Sequence, residues 1–349
     1  MSSDEQPSSV EPTLSGEPPP PLELEGDFGW YMDADADIVV ACFPFGAGVG
    51  EPQIAQVGRQ LAETFAQIFR LHSAFITVPQ LLLVSESVES LEHTRIRSAF
   101  AVFHSLPQTR IVRQTARSFG ARLAVTGRLL GEGNDFLFGV NVLDVERNLL
   151  LGCTQVQIPR DLLLDAVVDI GTHLLRRFVA VDADAMARQV SEIVGTRKLV
   201  AYTNWALACE LQRRTLGEQV DERRLVERLG FALGADPLFL APLQALVQLL
   251  EQTEDDRVLA QIARSLAKIP ISRPATGLVR AEALRRQGEV ELAREALQDV
   301  IDQHPHTAQA HYLLGCLEEP IRPGAALRHF TEAHLLDPKR SLYKEKVNH

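Results

Sequence analysis

Residues 307–338 read TAQAHYLLGCLEEPIRPGAALRHFTEAHLLDP, and two helical stretches are legible in them. Ala310, Leu314 and Gly315 share one face of the first, and Ala326, Phe330 and Ala333 share one face of the second. Pro338 follows the second stretch. It has no N–H and a fixed φ, so it stops the winding and starts a turn. The same punctuation recurs at Pro237, Pro270 and Pro305, at intervals of 33, 35 and 33 residues. Two helices in each interval of about 34 residues predict stacked helical hairpins, none able to bury its apolar face alone.

The interval before reads the same way, with Ala281, Leu284, Gly288, Ala293, Leu297 and Val300 leading to Pro305. Small residues where antiparallel helices cross, with one aromatic filling the space between units, resemble tetratricopeptide repeats. Earlier, Leu243–Leu250 and Val258–Leu266 make a hairpin ending at Pro270. Leu225, Leu229, Ala232 and Asp236 match a second helix before Pro237, but its first helix, around Tyr202–Arg213, is set apart by inserted residues. Three clear repeats and one degenerate one are expected.

That resemblance implies a concave groove lined by the inner helices. Its positions would be Leu278, Glu282, Arg285 and Arg286 in one repeat and Gln309, Tyr312 and Glu319 in the next. Adjacent arginines suit a bidentate grip on a carboxylate, so the implied partner is a protein or peptide.

Charge divides unevenly along the chain. Residues 1–58 hold eleven acids and no Lys or Arg; 46 − 11 leaves 35 acids against 35 bases, so the remainder is neutral. The stretch ahead of residue 37 is Pro-, Ser- and Glu-rich and reads as a disordered acidic tail. With no basic start and no apolar run it is not a secretory signal, and no stretch is long and apolar enough for a membrane span. A cytoplasmic location is expected. Cys42, Cys153, Cys209 and Cys316 are scattered among apolar neighbours and read as small hydrophobes in a reducing compartment.

From residue 37 the pattern is α/β. Ile38–Phe45 reads as a buried strand and Gln53–Leu71 as an amphipathic helix; Ala74–Val78 is a short strand. Residues 81–106 read as mainly helical, and Thr109–Phe119 as a helix stopped by Gly120. Three β segments, Arg122–Leu130, Asp135–Val145 and Leu149–Ile158, have joins short enough for an antiparallel meander. An amphipathic helix, Asp161–Val179, closes the unit.

The opening strand ending Phe43, Pro44, Phe45, the segment Ala116–Gly127, and the strand ending Val142, Leu143, Asp144, Val145 together resemble the amino-terminal domain of TolB-like proteins. The resemblance spans about 140 residues of sequence pattern. It implies an α+β domain, a mixed sheet with an antiparallel meander and flanking helices, at residues 37–181. Residues 182–349 are then the all-α tetratricopeptide-like domain, after a tail at 1–36. Relatives joining these units are bacterial and often serve signalling. TolB itself is periplasmic and continues into a β-propeller; here neither a signal peptide nor propeller repeats are seen.

Other candidates are weaker. Gly46, Gly48 and Gly50 sit between a strand and a helix, where free N–H groups favour anions, but Glu51 stands where the dinucleotide fingerprint needs a third glycine. Asp33, Asp35 and Asp37 start like a calcium loop, yet Ile38 and Pro44 occupy its essential Gly and Glu positions. His304, His306 and His311 near one turn lack a fourth metal ligand. No metal or cofactor is expected. Arg95, Arg97, Arg110, Arg113, Arg117, Arg122 and Arg128 fall in 34 residues without an acid, and Arg110, Arg113 and Arg117 share a helix face. That face suits an acidic partner or the chain's own tail; the neutral body and the lack of interleaved aromatics disfavour nucleic acid.

No nucleophile and base stand at recognisable spacing. The reading is a non-catalytic adaptor or scaffold. The alternative is a sensor whose α/β domain binds a small anionic ligand.

Overall fold

The computed structural model describes residues 37–47, 52–78, 109–179, 182–213 and 221–348. The expected acidic tail with Asp33 and Asp35, the residues Gly48, Gly50 and Glu51, and the segment 81–106 with Arg95 and Arg97 lie outside them.

The amino-terminal half is a mixed sheet flanked by helices. β1 (Ile38–Cys42) lies between β3 (Phe75–Thr77) and β4 (Leu123–Glu132), parallel to both. β4, β5 (Asp135–Asp144) and β6 (Leu149–Pro159) form an antiparallel meander, giving the order β3-β1-β4-β5-β6. The β4–β5 turn is a tight one at Gly133 and Asn134, with Gly133 at φ 58°.

The first strand differs from expectation. β1 stops at Cys42, the chain kinks through Phe43–Phe45, and β2 (Gly46–Ala47) resumes pairing with β4 farther along. Pro44 has no N–H for a ladder, and the Phe45 ring turns onto the sheet. It stacks on Phe65 and Phe138, with centroids 5.5 and 6.1 Å away. A Cβ on Gly127 would lie 2.4 Å from the Phe45 ring and 2.7 Å from the Gly139 carbonyl oxygen, so only glycine admits the ring.

Helices α1 (Pro52–Phe69) and α3 (Leu163–Phe178), the latter after a 3-10 turn at Arg160–Leu162, pack on one face of the sheet. On the other, α2 (Thr109–Ser118) sets Val112 and Ala116 against Ala41, Phe43 and Ala124. α2 ends as its sequence predicts. Gly120, at φ 65°, lets Ala121 N–H reach the Ala116 carbonyl at 2.8 Å and Gly120 N–H the Arg117 carbonyl at 3.0 Å.

The rest is all-helical: α4 (Ala183–Val194), α5 (Leu199–Arg213), α6 (Glu222–Ala235), α7 (Leu240–Gln252), α8 (Asp256–Ala267), α9 (Pro274–Arg286), α10 (Val290–Gln303), α11 (Ala308–Glu318), α12 (Pro323–Leu336) and α13 (Ser341–Asn348). The ladder prolines fall two or three residues past α6, α8, α10 and α12, marking the second helices of successive hairpins. Glycines set the crossings. A Cβ on Gly277 would lie 2.2 Å from Val300, and one on Gly315 would lie 2.6 Å from the Phe330 ring. α4 and α13 fall outside the ladder, and the sequence reading did not find them.

One core spans the junction of the halves. Met186, Val190 and Val194 of α4, Ala201, Tyr202 and Ala206 of α5, and Phe239 belong to the same buried cluster as α1, α3 and the sheet. A second core fills the hairpins from Ala208 to Leu314.

Candidate functional site

Three polar constellations are candidates, and they arise differently. The first sits in the junction, where the apolar stripe of α1 serves the sheet and its flank meets α5. Arg59 donates to Glu210 at 3.0 Å with both residues buried, 6% and 2% exposed. Arg213 donates to Gln60 at 2.8 Å. Thr64 donates to the Gln60 carbonyl, which leaves the Tyr202 hydroxyl, 2.7 Å away, to donate to Thr64. Burial holds the Tyr202 hydroxyl well above its usual titration range, and burial pushes the Cys209 thiol up to about 12. These groups join the halves, and the Tyr202 hydroxyl and Cys209 thiol keep their protons at neutral pH. Sequence reasoning missed them because partners 151 positions apart leave no periodic signal.

The second is the arginine face of α2. Arg110, Arg113 and Arg117 do come together, lining an open cleft of about 460 Å³ with Thr109, Gln114 and Asn148. Arg113 Nε donates to the Val145 carbonyl at 3.4 Å. Arg117 Nη2 donates to the same carbonyl at 3.2 Å and to that of Glu146 at 3.5 Å. These long contacts orient two guanidiniums without neutralising them. Among the described residues no carboxylate pairs with any of the three.

The third is the row of expected groove positions on α9 and α11. Arg285 grips Glu282 with Nε and Nη2, both at 2.8 Å, and Arg286 adds Nε at 3.1 Å. The Arg285 hydrogen bonds hold the Glu282 carboxyl below its ordinary range. Arg286 also donates to the Leu250 carbonyl at 2.7 Å, tying α9 to the end of α7. Leu278 is half-buried and Gln309 exposed. The other two positions are engaged by the terminal helix α13. Tyr312 packs on Tyr343 at 5.0 Å, and Lys346 donates to Glu319 at 2.6 Å. Burial pushes the Tyr312 hydroxyl up to about 12.

The histidines do not build a metal site: among the described residues no three His, Cys, Asp or Glu side chains could hold an ion. His304 Nε2 meets the Ile271 carbonyl at 2.8 Å, and His311 Nε2 meets that of Pro305 at 3.1 Å. His311 Nδ1 faces His329 Nδ1 at 3.4 Å, beside buried Glu318 and half-buried Arg294. Burial, and then His311 and Arg328, lower the His329 pKa from 6.5, while Glu318 and Glu332 raise it. The folded chain therefore binds this proton less readily than the unfolded one, and stability falls as pH drops through 6.5. His173, also lowered, acts in the same sense. Melting temperature should decrease between about pH 7.5 and about pH 5.5, and less steeply in His329→Gln; equal slopes would show that His329 carries none of it.

Among the described residues no helix is long and apolar enough to cross a membrane. No family model matches the chain, and no curated protein does. Among solved structures, the MamA RS-1 ArsTM double mutant aligns with 51% of this chain and 95% of its own, at 16% identity and TM-score 0.30. The LpoB C-terminal domain from Salmonella enterica aligns with 40% of this chain and 99% of its own, at 12% identity and TM-score 0.26. Likeness at this level carries no assignment.

Proposed function

We propose that the protein is a non-catalytic cytoplasmic adaptor of bacterial signalling, with a TolB-like α/β body at 37–181 carrying tetratricopeptide-type hairpins at 182–349. The hairpins hold a peptide or protein partner. The observation that supports this most is the Glu282–Arg285–Arg286 cluster on α9, a carboxylate already seated in a guanidinium fork at the surface. A partner carboxylate can exchange for Glu282 on Arg285, whose side chain is 48% exposed. Arg286 is the poorer probe, because it also fastens α7.

Arg285→Ala is expected to change stability by less than about 1 kcal/mol, since it breaks only an exposed pair. It should also remove bound partners from affinity capture with the full chain. An unchanged set of captured proteins would count against this face. The second reading, a sensor of a small anionic ligand, is favoured by the arginine cleft on α2. A thermal-shift screen with nucleotides and small phosphates distinguishes it.

A further inference from the structure

We propose that the cleft of Arg110, Arg113 and Arg117 is a docking site for the chain's own acidic segment, residues 1–36, which an acidic partner must displace. The cleft is on the α/β half, so this does not rest on the hairpin face.

Charge complementarity is the first argument. Among the described residues the cleft's lining holds three arginines, a glutamine, an asparagine and a threonine, all able to donate, and no carboxylate. Residues 1–36 hold nine acids and no Lys or Arg: Asp4, Glu5, Glu11, Glu17, Glu23, Glu25, Asp27, Asp33 and Asp35. The body it belongs to has no net charge to bias it elsewhere.

Position is the second. The Arg122 N–H bonds the Val39 carbonyl of β1 at 2.9 Å, and the Val145 N–H bonds the Arg122 carbonyl at 2.9 Å. The beginning of β1, the beginning of β4 and the end of β5 therefore lie side by side at one margin of the sheet. Val145, which orients Arg113 and Arg117, is thus about two strand spacings, ~10 Å, from the start of β1. A few residues ahead of Asp37 span that distance at ~3.3–3.6 Å each.

Spacing is the third. Arg110, Arg113 and Arg117 are separated along α2 by about 4.5 and 6 Å of helix rise. Asp33 and Asp35 are separated by one alanine, so on an extended path their carboxylates project to one side about 6.6–6.8 Å apart. That separation is close to the ~6 Å of helix rise from Arg113 to Arg117, so two acids can face those two arginines, and Arg–carboxylate pairs are the strong ones. A tethered segment presents its acids at an effective concentration in the millimolar range, so it shuts out weak external anions.

The test uses a labelled peptide of residues 23–37 and full-length proteins. By anisotropy at low salt, a full chain with the nine tail acids changed to Asn or Gln should bind it about tenfold or more tightly than wild type, whose own tail competes. Arg110→Glu in that background should abolish binding. Among the described residues the Arg110 side chain has no hydrogen-bond partner, so this variant is expected to keep the fold, and a melting curve checks it. Changing all three arginines to Gln should act alike. Equal affinity of wild-type and tail-neutralised proteins would overturn occupancy in cis. Binding indifferent to Arg110 would overturn the site. Capture of a single-stranded oligonucleotide in preference to the tail peptide would assign the cleft to nucleic acid, and the proposal fails.

Discussion

Glu210→Ala should cost about 3–5 kcal/mol of unfolding free energy, among the largest effects of any single substitution in this chain. The carboxylate is 2% exposed and is gripped at 3.0 Å by Arg59, itself buried on the opposite half. Arg213 stands 4.0 Å from the same oxygen. Removing the acid leaves a guanidinium in an apolar junction with its main partner gone, and the cost is chiefly that stranded charge, not the worth of the pair. Removing both charges should behave differently. Arg59→Met with Glu210→Leu fills similar volume and should lie much closer to wild type than either single change, or above it. Urea unfolding of the four proteins gives the coupling directly. A loss below about 1 kcal/mol in Glu210→Ala would mean that water reaches the pair and that the junction is not closed as described.

Phe45→Ala is expected to cost about 3–5 kcal/mol through the cavity it leaves against Phe65 and Phe138. Gly127→Ala attacks the same packing from beneath. Its methyl meets the Phe45 ring on one side and the Gly139 carbonyl oxygen on the other, and only the ring can move. A cost of about 1–3 kcal/mol, or more, is expected. The two should not add. With the ring absent, Gly127→Ala retains only its backbone clash, so its cost in the Phe45→Ala background should drop. Strict additivity in denaturant unfolding would show that the ring does not lie across Gly127.

How much of this the sequence disclosed depended on range. The meander was legible because alternation and short joins act over ten residues, and the stop of α2 because Gly120 alone accepts the backbone that closes it. The pattern predicts one strand over Ile38–Phe45, whereas the chain kinks through Phe43–Phe45 and pairs again; nothing local signals that a ring must be seated on Gly127. The proline ladder located the second helices of the hairpins but was silent on α4 and α13, which have no place in its period. Of the candidate site, the grouping of Arg110, Arg113 and Arg117 followed from helix geometry. The use of Tyr312 and Glu319 by α13 did not, since it depends on a helix the pattern never announced.

The long separation between Arg59 and Glu210 also sets an order of events during synthesis. At about 5–20 residues per second, the 151 positions between them take about 8 to 30 s to emerge. Through that interval α1 faces solvent along the flank that α5 will cover, with a cation awaiting its counter-charge. The nascent sheet must therefore wait for a helix from the other half before its last side is sealed. Folding paced by so distant a contact is slow to commit, and the unsealed flank of α1 is the surface a chaperone would meet first.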